Sequence, residues 1–288
     1  MREVLAGIVL SAAMLAPQPG SAAQNRAREL AERTIANQHR NDAAIYDYER
    51  VEERISYANH AAGSDETYRL VPTGTGRLGL LVKRGNQPVD LATYRNELRA
   101  WRDALHLALD PGDPAQQRAE AKRRERDRKR SEMIDAVGRA FRFKWLGEEV
   151  VDGRTLAKIE LDPNPSFQPA SRAEDMLRHV RATAWIDVRA AQLVRGRAEI
   201  TSGITIAGGI VAKIYPGGWY QVEQAEFAPG VWFPVQTEYS IRGRLFLFSV
   251  SQHKLTRDWD YRYVGPPRRA LELARKDLAS NALFPASP

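Results

Sequence analysis

The chain has 288 residues, of which 43 are Lys or Arg and 36 are Asp or Glu, so its formal net charge is +7. It contains no cysteine, which excludes a disulfide scaffold, a thiol nucleophile, a thiolate metal site and a lipid anchor attached to cysteine. Hydrophobic residues make up 43% of the chain. A chain of this length buries about three quarters of its unfolded surface, so one large core is feasible.

The first 23 residues have the pattern of a secretory signal peptide. Arg2 gives a positive start, residues 4–16 form an apolar run, and small residues follow at 21–23. The apolar run spans about 20 Å as a helix. This is shorter than the hydrocarbon core of a membrane, which is about 30 Å thick. We therefore predict cleavage near Ala23 and a mature chain that is periplasmic or secreted.

The N-terminal part of the mature chain predicts two helices separated by strands. Apolar residues at helical spacing indicate one helix over 24–40 and another over 91–108, the second with Asp90 as its N-cap. Between them, alternation of apolar and charged residues indicates a half-buried strand at 46–57. A glycine-rich turn between two apolar runs indicates a hairpin over 67–83.

A charge-rich segment follows, with Asp113 as the predicted N-cap of a further helix. Residues 118–130 hold eight basic and three acidic residues and have no apolar face. Residues 116–132 are therefore either a solvated helix or a frayed arm. The cations are a solvated face of mixed charge or a contact for anionic lipid headgroups. In the second interpretation the contact residues are Arg123, Arg124, Arg128, Lys129 and Arg130.

Nucleic acid is not expected as a partner of this segment. The chain is predicted to be exported, and no aromatic residues are interleaved with the charges of the basic run. Peripheral contact with an anionic membrane is the functional alternative that we retain for it.

From residue 141 onward the pattern is that of strands. A hairpin with its turn at Asp152 and Gly153 precedes a capping box that begins at Ser171. Six strand-like runs follow, at 183–188, 193–202, 204–215, 219–227, 231–241 and 245–253. We predict turns between them at 189–192, 216–218, 228–230 and 242–243. Short connections between them predict an antiparallel meander, and its length favours partial barrel closure.

The predicted fold class is therefore α+β, a half-open antiparallel β-barrel covered by helices. We expect one domain over residues 24–265, with a charged helical insertion at 90–140. A C-terminal helix and tail follow at 266–288.

The sequence contains no recognisable catalytic, cofactor or metal motif. The G-x-G-x-x-G run at 74–79 is followed by a strand, which indicates a hairpin turn and not a dinucleotide site. The five histidines lie far apart, so we expect no metal site. Neighbouring residues in a strand point to opposite faces, so we interpret the carboxylate pairs as solvated charges. The pairs are Glu52/Glu53, Glu148/Glu149 and Asp258/Asp260. We expect no enzymatic activity and no cofactor.

Several short stretches resemble a group of uncharacterised secreted bacterial proteins, over roughly residues 25–264. The stretches are 80–89 (LLVKRGNQPV), 163–169 (PNPSFQP), 184–187 (AWID), 217–224 (GGWYQVEQ) and 231–236 (VWFPVQ). The order of helix, hairpin, helical insertion and meander resembles the fold of the LolA/LolB lipoprotein carriers and the RseB/MucB sigma-factor regulators. The charge-rich insertion departs from the compact carriers.

The resemblance to the carriers implies an apolar sheet face that is closed by helices and shields acyl chains. In this chain the role then falls to Trp145, Trp185, Phe233, Tyr239 and Phe248. An ordinary hydrophobic core is the alternative for each of these aromatic residues.

Two functions follow as hypotheses. The first is an exported binding protein that holds a lipid, a lipoprotein acyl chain or an apolar peptide in a hydrophobic cavity. The second is an envelope protein–protein interaction or regulatory module without a small ligand. The presence of a large apolar cavity distinguishes them, and the register of the strands decides which aromatic side chains face inward.

Overall fold

The computed structural model of the chain describes residues 19–58, 61–206, 212–246, 248–280 and 283–284. The helices within them are α1 (Pro19–Ala44), α2 (Leu91–Ala108), α3 (Pro114–Ala140), α4 (Arg172–Asp175) and α5 (Pro267–Ala279). None of them combines the length and the apolar character that a bilayer crossing requires. Most of the predicted signal peptide lies outside the described residues, and its cleavage site stays a prediction.

Thirteen strands in the described part of the chain form one antiparallel sheet. They are β1 (Tyr48–Ala58), β2 (Ala61–Pro72), β3 (Arg77–Arg84), β4 (Gln87–Pro88), β5 (Phe141–Val151), β6 (Arg154–Pro163), β7 (Val180–Asp187), β8 (Gln192–Ile200), β9 (Ile204–Ile206), β10 (Ala212–Ile214), β11 (Trp219–Ala228), β12 (Val231–Leu245) and β13 (Phe248–Tyr263).

The strand order is β4-β3-β2-β1-β13-β12-β11-β8-β7-β6-β5, with β10 on β12 and β9 on β10. The end strands β4 and β5 do not pair with each other, so the barrel is half-open. The α+β class and the meander predicted from the sequence are confirmed.

Two predicted strand boundaries are wrong. The run predicted as one strand at 204–215 is two short strands, β9 and β10, on either side of the undescribed residues 207–211. The turn predicted at 242–243 lies instead after Leu245, where Phe246 has a positive φ of 52°. Gly243 lies within β12, next to the Lys213 backbone carbonyl of β10. A side chain at this position would collide with that carbonyl. The glycine therefore permits strand pairing here and does not form a turn.

Two layers of helices cover opposite faces of the sheet. Cross-strand register places Ile159 and Arg50 on one face, hereafter the α1/α3 face, and Leu80 and Val51 on the other, the α2/α5 face. On the first, α1 and the end of α3 pack against β5 to β8. On the second, α2 and α5 pack against β1 to β3 around the fully buried Trp101. The protein thus has two separate hydrophobic cores.

A buried arginine ties the α2/α5 layer to the sheet. Arg69 on β2 pairs with Glu49 of β1 at 2.6 Å and with Asp277 of α5 at 2.5 Å. Its Nη1 also donates to the Tyr94 hydroxyl of α2 at 3.2 Å. Only 3% of the Arg69 side chain is exposed. One side chain therefore connects two strands and both covering helices through charge-assisted hydrogen bonds.

The charge-rich segment lies within one continuous helix of 27 residues, α3, so residues 116–132 are helical and not a frayed arm. The predicted N-cap is confirmed, because Asp113 accepts a hydrogen bond from the Ala115 backbone. The Tyr46 hydroxyl donates to Asp127 at 2.6 Å. The helix lies against the protein through polar contacts, which explains why its middle needs no apolar stripe.

Replacement of Trp101 by alanine tests the second core. The ring is fully buried, and its Nε1 donates to the Pro72 carbonyl at 2.8 Å. We expect Trp101→Ala to lower the free energy of unfolding by about 3–5 kcal/mol, measured by urea denaturation. Leu109→Ala, at the exposed end of the same helix, is the control and should cost less than about 1 kcal/mol. Equal losses in the two variants would contradict this packing.

Candidate functional site

The centre of the α1/α3 face carries buried charges. Arg50 on β1 pairs with Glu52 at 2.8 Å and with Asp258 on β13 at 2.5 Å. At most 9% of each of these three side chains is exposed. The interpretation of Glu52 and Asp258 as solvated carboxylates is therefore wrong. Strand alternation does send their neighbour Glu53 to the opposite face, but Arg50 compensates the two charges that point inward.

Burial and charge shift the titration of these groups. Burial raises the pKa of Asp258 to about 6, and the Glu52 carboxylate opposes its ionisation further, while Arg50 acts in the other direction. For Glu52, burial acts to raise the pKa, but Arg50 and Arg54 together hold it below its usual value. Burial also raises the pKa of Tyr261, whose ring lies 5.7 Å from the Arg50 guanidinium. At neutral pH this face therefore presents ionised groups.

An ionised layer is a poor surface for a hydrocarbon chain. An apolar ligand placed on it would remove the remaining hydration of these charges without offering hydrogen bonds in return. The Nη1 atom of Arg50 is buried and already has no partner among the described residues. The centre of the α1/α3 face is thus polar and does not provide an apolar lining.

Three of the five aromatic residues predicted for an apolar cavity occupy different environments. Trp145 lies on the α1/α3 face, 4.3 Å below the Arg26 guanidinium of α1. Trp185 lies on the other face, 5.2 Å from the Lys158 ammonium. Phe233 is fully buried among aromatic rings, with the Tyr261 ring at 4.9 Å. The strand register separates these three residues.

The other two predicted residues are also apart. Tyr239 lies in the middle of β12, between Tyr220 and Lys254 of the adjacent strands. Phe248 begins β13 and is 76% exposed. Three clefts have volumes of about 490, 470 and 470 Å³. None of the five predicted residues lines any of these clefts. The structure does not bring the five side chains together.

The five cations predicted to contact an anionic surface all have carboxylate partners. Their pairs are Arg123 with Asp127, Arg124 with Glu120, Arg128 with Glu125 and Glu132, Lys129 with Glu125, and Arg130 with Asp42. Four of them pair within α3 at i,i+3 or i,i+4 spacing. These charges are largely compensated, and their contact with an anionic surface stays a prediction.

Sequence reasoning missed a cleft between α3 and the turn that joins β2 to β3. Arg77, Lys122 and Arg126 line it, with a volume of about 470 Å³. A signal for Arg126 was present in the sequence, because the positions three and four residues away on either side of it hold no carboxylate. The contribution of Arg77 depends on tertiary structure and has no local signal.

The second missed feature is the tip of the β12–β13 hairpin. Leu245, Phe246 and Phe248 are 49%, 55% and 76% exposed there. Behind this tip, Lys213 of β10 lies directly opposite Arg244 of β12. The segments 203–218 and 241–256 contain no Asp or Glu, although the chain has 36 such residues. The hairpin tip therefore combines exposed apolar side chains with flanking sequence whose charged residues are all basic.

Histidines and carboxylates do not converge on a metal centre. In the described residues, no group of three or more His, Asp or Glu side chains is placed to hold a metal ion. His253, for example, interacts with Glu238 at 2.7 Å and stacks on the Tyr57 ring at 4.3 Å.

No protein-family model and no curated protein matches the chain. Similar solved structures include a LolA superfamily protein from Nitrosomonas europaea, with 10% identity and a TM-score of 0.35, covering 85% of this chain and 96% of that one. A domain described as an outer membrane lipoprotein-sorting protein, from Vibrio parahaemolyticus, has 10% identity and a TM-score of 0.32, covering 81% and 93%. A DUF1329 family protein from Desulfovibrio piger has 11% identity and a TM-score of 0.31, covering 84% and 93%.

One of these structures is described as a LolA superfamily protein. With identities of 10–11% and TM-scores of 0.31–0.35, no ligand and no activity is carried over to this chain. The functional argument therefore depends on the chain's own residues.

Asp258 gives a pH-dependent prediction. Between an unfolded pKa of about 3.9 and a folded pKa of about 6, the folded protein keeps a proton that the unfolded chain has released. The contribution of Asp258 to stability is therefore present below pH 4 and is lost as the pH rises through 6. Asp258→Asn removes this dependence. Relative to the unmodified protein, its free energy of unfolding should rise by about 2 kcal/mol between pH 4 and pH 7.

Urea denaturation at several pH values measures this difference. Asp260→Asn is the matched control, because Asp260 lies on the same strand with 42% of its side chain exposed. It should show no comparable change with pH. A constant difference between Asp258→Asn and the unmodified protein would contradict the raised pKa.

Proposed function

We propose that the chain is an exported protein that binds the surface of an anionic membrane through the β12–β13 hairpin tip. The observation that carries this proposal is the exposure of Leu245, Phe246 and Phe248 at the end of a hairpin that has basic residues behind it. Contiguous exposed apolar side chains on a water-soluble surface mark contact sites for a membrane or a partner. The predicted signal peptide supports delivery to a compartment bounded by membranes.

The tip has the layout of an interfacial membrane contact. Apolar side chains lie at the end of the hairpin, and Lys213, Arg242 and Arg244 lie a few residues behind it on one face of the sheet. Apolar side chains enter the region between headgroups and acyl chains, while cations remain at the level of the headgroups. A contact of this kind needs apolar side chains at the tip and basic side chains behind them. The hairpin provides both.

The positive charge favours an anionic membrane over an apolar protein patch. Lys213 and Arg244 are direct cross-strand neighbours, so basic residues lie side by side behind the tip. Anionic headgroups attract basic residues that lie at their level. Each Lys or Arg near such a surface contributes about 1 kcal/mol, and full burial of a Phe side chain contributes roughly 1.5–3 kcal/mol. These terms together correspond to reversible attachment.

This proposal places lipid contact at the end of the sheet and not within it. The hypothesis of a lipid, acyl chain or apolar peptide inside a hydrophobic cavity stays a prediction. The buried layer of Arg50, Glu52 and Asp258 argues against it at the centre of the α1/α3 face. A protein partner on the hairpin is the alternative that the vesicle experiment separates from a membrane.

Vesicle sedimentation of the mature chain tests the proposal. We expect binding to vesicles of phosphatidylethanolamine with phosphatidylglycerol, and weaker binding to vesicles of phosphatidylcholine alone. The double variant Phe246→Ser/Phe248→Ser should bind at least tenfold more weakly, because two aromatic side chains no longer enter the interface. Lys213→Gln/Arg242→Gln should lose the preference for the anionic vesicles.

Val150→Ser is the matched control, because Val150 is 73% exposed near the tip of the β5–β6 hairpin. It should bind vesicles as the unmodified protein does. Absence of vesicle binding, or equal binding by the Phe246→Ser/Phe248→Ser variant, would reject the membrane and leave a protein partner for the hairpin.

A further inference from the structure

A basic cleft lies at the opposite end of the sheet from the hairpin tip, between α3 and the β2–β3 turn. Its lining residues are Tyr46, Thr73, Thr75, Gly76, Arg77, Ala119, Lys122 and Arg126. The turn adjoins the strand ends at which Tyr48 pairs with Tyr263. Phe248 lies at the other end of β13, roughly 50 Å away along the 16-residue strand. The cleft and the hairpin tip are therefore independent features.

The lining of the cleft is positively charged and contains no carboxylate. Three of its lining residues, Arg77, Lys122 and Arg126, are cations, and no Asp or Glu lines it. Asp127, which follows Arg126 on α3, is engaged by the Tyr46 hydroxyl at 2.6 Å and by Arg123 at 3.2 Å. Among the described residues, neither Arg77 nor Lys122 has a carboxylate within ion-pair distance, whereas the neighbouring cations of α3 are paired.

One hydrogen bond orients Arg126, and neighbouring charges act on Arg77. Arg126 donates from Nη2 to the Thr75 carbonyl at 2.9 Å, which holds its guanidinium against the β2–β3 turn. Burial lowers the pKa of Arg77, and the Arg50 charge lowers it further, although Glu52 acts in the other direction. Cations held together in this way are stabilised when an anion enters between them.

Neutral hydrogen-bonding groups also line the cleft. The Thr73 and Thr75 side chains add hydroxyl groups to the lining.

We infer that this cleft binds a phosphate group, with Arg77, Lys122 and Arg126 as its ligands. Arginine and lysine are the usual protein ligands of phosphate, arginine through paired N–H donors and lysine as a point charge. Three cations match a dianionic phosphomonoester better than a single carboxylate. The cleft volume of about 470 Å³ is in the range of small-molecule sites, so it accommodates the organic group to which the phosphate is attached.

Isothermal titration calorimetry of the mature chain with glycerol 3-phosphate and with inorganic phosphate tests this site. We expect saturable binding of at least one of them. Arg77→Gln and Lys122→Gln should each weaken it at least tenfold. Arg118→Gln is the matched control, because Arg118 is an exposed cation one turn before Lys122 and does not line the cleft. It should change the affinity less than twofold.

Vesicles that contain phosphatidic acid, a lipid with a phosphomonoester headgroup, distinguish the two sources of the phosphate. Binding of glycerol 3-phosphate assigns a soluble ligand. Binding of these vesicles alone, weakened by Lys122→Gln in the Phe246→Ser/Phe248→Ser background, assigns a lipid headgroup. The double hairpin variant should bind soluble phosphate normally, so a failure of the phosphate site can be distinguished from a failure of the membrane contact.

No binding of any probe, or equal loss of affinity in Arg118→Gln and Arg77→Gln, would overturn the phosphate site. Urea denaturation of each variant shows that it is folded.

Discussion

Compensation of buried charge along strand β1 determines what the two faces of the sheet can do. Glu49 points to the α2/α5 face, where it meets Arg69, and the next residue, Arg50, points to the α1/α3 face, where it meets Glu52 and Asp258. Removing such groups from water costs several kcal/mol per ion, and the cost is recovered only when partners and hydrogen bonds are in place. The centre of the sheet is therefore specified by ion pairs on both faces, and the hydrophobic cores lie to either side.

This arrangement explains how a helix without an apolar stripe can cover the sheet. The middle of α3 contacts the rest of the protein through Asp127 with Tyr46, Arg126 with Thr75 and Arg130 with Asp42. Most of its other charges pair with each other along the helix. Contacts of this kind leave a small number of cations without partners, and these lie where α3 passes the β2–β3 turn. The basic cleft is thus a consequence of docking by charge.

Local sequence signals predicted most of the fold. Asp90, Asp113 and Ser171 cap their helices as expected, because capping depends only on neighbouring backbone groups. Asp152 and Gly153 form the predicted hairpin turn with positive φ angles of 48° and 75°. The predicted turn at 242–243 is wrong because the role of Gly243 depends on β10. That strand lies close to Gly243 in space but far from it in sequence.

The sequence predicts the candidate sites less well than the fold. Alternation separates adjacent side chains, but it does not tell which face is covered, so it does not predict that Glu52 is buried. The five aromatic residues chosen for a cavity are all in strands, yet register places Trp145 and Trp185 on opposite faces. The cleft cations Arg77 and Lys122 are 45 positions apart, and only the docking of α3 brings them to one cleft.

The central claim is that a layer of ionised groups, and not an apolar void, occupies the middle of the α1/α3 face. Native mass spectrometry of the mature protein, purified from its own export pathway, tests it most directly. The account predicts the mass of the bare polypeptide. A mass excess equal to one lipid, lost on denaturation, would contradict the claim and would restore the hypothesis of an enclosed apolar ligand.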